Sequence, residues 1–123
     1  MKRLQSINIV LSNLSGSPSQ KLELFALVNL GLVQSLASGV LTPTEAIERF
    51  YYAENCLHVK SHYRKKEAQE IMSRGIQVAD LFETLSPEQA RREFYHELES
   101  MRTLCLKILG KGRNRSDAHR VAA

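Results

Sequence analysis

Glu54, His58 and His62 follow one another at four-residue steps, so a helix would align one carboxylate and two imidazoles along one side. Those groups at that spacing are a ligand set for Zn²⁺ or a similar metal. Lys60, Arg64, Lys65 and Lys66 crowd the same stretch with positive charge, which raises the cost of holding a cation. The expectation is therefore exposed histidines and no metal. Glu93-Phe94-Tyr95-His96 is one Glu-x-x-His unit, the element that ferritin-like di-metal bundles carry twice. No second copy is present, so this too is expected to be surface charge. Cys56 and Cys105 form no Cys-x-x-Cys pair, and His58, two residues from Cys56, would face away from it on a helix. No glycine-rich phosphate loop, G-x-S-x-G or H-E-x-x-H occurs. The sequence thus calls for no catalytic residue and no cofactor, and a non-enzymatic protein is expected.

A second candidate is the basic run from His58 to Lys66. Lys60, Arg64, Lys65 and Lys66, with Tyr51 and Tyr52 just upstream, combine phosphate-binding cations with rings on which bases could stack. Glu67 and Glu70 lie within reach at helical spacing and would partly neutralise them, giving an ordinary solvated face. Leu41-Thr42-Pro43-Thr44-Glu45 and Val59-Lys60-Ser61-His62 resemble the two ends of the helix-turn-helix of LuxR-type regulators. In that family a glycine-containing turn and a further helix separate the two pieces. Here Ala46 to His58 intervene with no turn residue, too little for two helices and a turn, so the resemblance implies no DNA-reading motif.

The elements that must position these residues follow from composition and punctuation. The chain has 123 residues, 43% hydrophobic and 24% charged, the makeup of one ordinary globular domain. The net charge of +4 sits at the ends. Lys2 and Arg3 supply +2 and residues 111–123 supply +3, which leaves 4–110 at −1. A domain-wide nucleic-acid footprint would look different. The two isolated cysteines read as buried thiols in a reducing cytoplasm, and the N-terminus is too polar for a secretory signal.

Residues 1–18 read as an extended or flexible segment ending in the linker Ser15-Gly16-Ser17-Pro18-Ser19. A helical-bundle domain over 19–110 follows, then a basic, disordered tail over 111–123. Thr42-Pro43-Thr44-Glu45 and Ser86-Pro87-Glu88-Gln89 each offer a hydroxyl N-cap, proline at N1 and a capping-box partner at N3. Between them, 44–74 is expected to bend near Ser61–Tyr63 and to stop at Arg74-Gly75, with a short helix over 79–85. In that stretch Ile47, Phe50, Tyr51 and Leu57 form one apolar face, and Tyr52, Cys56, Val59 and Tyr63 a second. In the last helix Ala90, Phe94, Leu98, Met101, Cys105 and Ile108 form a near-heptad seam, with Gly110 as its stop.

The helix on which all of this must pack is Leu22 to Ala37. Eleven of its sixteen residues are apolar, and they point all round. No charge occurs from Leu24 to Thr44, but polar residues within and Gly39 near the end argue for a buried helix over a membrane span. Gly31, Ser35 and Gly39 form a small-residue row that would admit a neighbouring helix. The fold expected is all-α, a mostly antiparallel bundle of three to five helices with this helix central. The function expected is protein–protein contact as a homodimer through Phe25, Val28, Leu32 and Leu36, with Phe50 and Tyr51 in support. Nucleic-acid binding through the 58–66 basic face and the tail is the alternative.

Overall fold

A computed structural model describes residues 8–121, and for 111–121 the backbone alone. It is an all-α bundle. A single 3₁₀ turn at Leu11–Asn13 precedes α1 (Pro18–Ala37), α2 (Pro43–Arg49), α3 (Ala53–His62), α4 (Lys66–Thr84) and α5 (Pro87–Val121). The long α5 packs along both α1 and α4, and the shorter α2 and α3 close the side against α4. The Tyr95 hydroxyl, near the start of α5, meets the Ala37 carbonyl at the end of α1 (3.4 Å), so these two helices run antiparallel.

A reciprocal capping box starts two helices, and its hydroxyl half starts a third. In α2 the Thr42 hydroxyl accepts from the Glu45 N–H (3.1 Å) while the Glu45 carboxylate accepts from the Thr42 N–H (2.9 Å). Ser17 and Gln20 do the same for α1, with Pro18 at N1. The supposed linker is therefore the cap itself. Ser86 accepts from the Gln89 N–H (3.3 Å) at the start of α5. At the other end of α1, Gly39 takes φ +81°, the left-handed C′ position that a side chain would strain.

The bend expected near Ser61–Tyr63 is present as a break at 63–65, but other expectations are corrected. A further break falls at 50–52, inside the interval from Ala46 to His58 that has no turn residue. The break at 50–52 has no glycine or proline; Asn55 stabilises it by donating to the Phe50 carbonyl (2.8 Å). It shifts the helical phase, so Leu57 is exposed while Phe50, Tyr51, Val59 and Tyr63 are buried. Gly75 does not end a helix but lies mid-way along α4, buried beneath the Tyr51 ring. Gly110 likewise stops nothing. The backbone of 111–121, expected as a disordered tail, is helical to Val121, and 122–123 lie outside the described residues.

The N-terminal segment is docked where it is described. Leu11 is 2% exposed and belongs to the core. Its N–H donates to Asn55 Oδ1 (3.0 Å), Asn55 Nδ2 donates to the Ile9 carbonyl (2.8 Å), and the Tyr52 hydroxyl donates to the same carbonyl (2.7 Å). Residues 1–7 lie outside the described set.

The centre of the bundle holds a polar pair. The Tyr51 hydroxyl donates to Asn29 Oδ1 (2.6 Å), and Asn29 Nδ2 donates to the Phe25 carbonyl (2.9 Å). A Cβ at Gly75 would lie 2.6 Å from the Tyr51 ring. Ala in place of Gly normally helps a helix by roughly 1 kcal/mol, but here overpacking should dominate, at a cost of about 1–3 kcal/mol. Gly75→Ala is expected to lower the denaturant midpoint in a circular-dichroism titration. Tyr51→Phe is expected to do so as well, because it leaves Asn29 Oδ1 buried without a donor, worth about 1–3 kcal/mol.

Candidate functional site

The residues proposed for contact are divided by the structure. Phe25, Leu36, Phe50 and Tyr51 are at most 3% exposed and are covered by the chain's own helices. They form the core, and this part of the expected interface is corrected. Val28 and Leu32 are half-buried at its edge. The outward face of α1 carries instead Leu24 (41% exposed) and Leu27 (51% exposed), with Gly31 exposed one turn further on. A Cβ at Gly31 would meet nothing within 4 Å.

The chemistry-bearing residues gather at another place, where the start of α1 faces the end of α3. A groove of about 650 Å³ opens there. Lys21 of α1, His58 and His62 of α3, and Arg64 and Lys65 of the following link line it, with Pro18, Leu22 and Tyr63 adding apolar wall. Among the described residues no carboxylate lines it. The two imidazoles stack at 4.3 Å between ring centroids, and Tyr63 sets its ring edgewise to both His58 and Phe25. Burial first, then the charges of His62 and Lys21, hold His58 below the ordinary imidazole pKa. The Tyr63 hydroxyl is buried and has no hydrogen-bond partner among the described residues.

The four expected nucleic-acid contacts are divided among different hollows. Arg64 and Lys65 face the groove, Lys60 lines a separate hollow with Cys56 and Gln69, and Lys66 begins α4. Lys21 escaped the sequence reading. Its signal was the Ser17-Pro18-Ser19-Gln20 cap, which places Lys21 in the opening turns of α1. Glu54 shares a second, smaller hollow with His58 and His62, and no group of three potential metal ligands converges among the described residues. Glu93 and His96 are exposed. Arg74 joins α4 to α5 by donating to Glu70 (2.9 Å) and Glu97 (2.7 Å), a structural link. Both thiols are free, and burial pushes Cys105 up to about 12, which makes it a core group and not a nucleophile.

Fold and groove together define a small helical bundle with a basic hollow on one side and an apolar helix face on another. Residues 18–121 match the model of a family described as "Protein of unknown function (DUF3969)", and the chain belongs to that family. The match runs from the first residue of α1 to the last of α5 and leaves the docked 8–17 segment outside. No curated protein and no solved structure matches the chain. No helix among the described residues is long and apolar enough to cross a membrane.

Because the folded chain holds His58 below its ordinary pKa, folding favours the neutral ring. That contribution is whole above the ordinary imidazole value of about 6.5 and is lost as pH falls through the folded value. His62 and Glu54 on its own helix, Lys21 on α1 and the Arg64-Lys65 link are the charged groups around it. His58→Gln is therefore expected to lose less Tm than the wild type between about pH 7.5 and pH 5, measured by thermal melts across that range.

Proposed function

We propose that this chain acts by protein–protein contact and not by catalysis, as a cytoplasmic homodimer whose subunits meet through the outward face of α1. The observation that carries the reading is the exposure of Leu24 and Leu27 on the helix whose opposite face is the core of the bundle. Isolated surface leucines mean little. Here they stand on one stripe with Gly31, whose bare backbone would let a second helix approach closely. From Leu24 to the end of α1 no side chain is charged, so two copies could face one another without repulsion. A two-fold contact needs such a self-compatible patch. Free Cys56 and Cys105 agree with a reducing compartment.

Nucleic-acid binding draws narrower support, since Lys60 and Lys66 fall outside the groove that gathers Arg64 and Lys65.

Leu27→Asp puts a charge at the centre of the stripe without touching the core. It is expected to turn a dimer into a folded monomer in sedimentation velocity at micromolar concentration, with its helical signal kept. A wild-type chain that sediments as a monomer across that range would overturn the reading.

A further inference from the structure

The groove between α1 and α3 has a composition that the contact reading does not use. Five basic side chains from three segments turn toward one hollow: Lys21, His58, His62, Arg64 and Lys65. In water such a cluster repels itself, and among the described residues no acid lines the groove to offset it. The hollow is concave and also has apolar wall, as small-molecule sites do. Its volume of about 650 Å³ exceeds the need of a bare inorganic anion and matches a drug-sized or nucleotide-sized molecule. The stacked His58–His62 pair presents ring surface beside the cations. Tyr63, another wall residue, adds the side of an aromatic ring that is packed edgewise on His58.

We infer that the α1–α3 groove binds a small organic phosphate of nucleotide size, its phosphates held by Lys21, Arg64 and Lys65 and its body lying against His58 and His62. The cations converge on a pocket and do not track along a strand, which favours a compact ligand over a nucleic acid. Lys60, although only two residues from His58, lines a different hollow and takes no part.

The experiment is calorimetric titration of the full chain with pyrophosphate, ADP, fructose 1,6-bisphosphate and phosphate-free adenosine, at low and moderate salt. At least one phosphate compound is expected to bind with one site per chain, and adenosine is not. Lys21→Ala combined with Lys65→Ala should weaken that binding by about tenfold or more, as loss of charge-assisted contacts does, while Lys60→Ala leaves it unchanged. Pyrophosphate should also move the His58 and His62 ring signals in proton–carbon NMR spectra. Failure of all three phosphate compounds to bind at millimolar concentration would overturn the inference. So would binding that weakens equally in Lys60→Ala. A twelve-residue oligothymidylate that binds more tightly than the small phosphates, with equal dependence on Lys60 and Lys21, would replace the small ligand with a nucleic acid.

Discussion

The bundle depends on the placement of one tyrosine. Tyr51 lies at the break between α2 and α3, spreads its ring over the bare backbone of Gly75 in α4, and delivers its hydroxyl to Asn29 inside α1. Three segments far apart in the chain are fixed by one side chain. The arrangement is also exclusive. A ring can sit against a helix this closely only where there is no Cβ, and the buried amide of Asn29 is costly unless a donor reaches it. Asn29 is thus not a flaw in an apolar stripe but the mark that fixes how α1 is rotated.

That rotation decides which surface is available to others. With Asn29 inward, Phe25, Val33 and Leu36 go to the core and Leu24 and Leu27 go out. The same setting turns Lys21 toward the end of α3, where it meets the two imidazoles and the basic link. The apolar face and the basic groove are therefore two results of one helix orientation.

Much of this was legible in the sequence. The two hydroxyl-proline caps mark the starts of α2 and α5, and the six-residue seam of α5 is buried as its spacing requires. Local chemistry of this kind leaves a local record. What was hidden depends on contacts across the chain. Gly75 after Arg74 has the look of a helix end, and its real reason is a ring twenty-four positions earlier. The 50–52 break carries no breaker residue; Asn55 and the packing of Phe50 hold it. Phe25 and Leu36 of α1 are apolar by sequence, but periodicity marks an apolar face without saying whether its own chain or another covers it, and here its own chain does. For the groove, the basic run was visible, whereas Lys21 became relevant only when α1 was laid beside α3.

Asn55 has a consequence for how the molecule may be shortened. Its amide spans two backbone groups of the preceding segment, and Leu11 plugs the core beside it. A chain trimmed to the family-matched 18–121 would keep every helix yet uncork that end: a hollow where the leucine was, an amide with idle bonding groups, and a 50–52 corner resting on fewer ties. The leading segment behaves less as a leash than as a sixth member of the bundle.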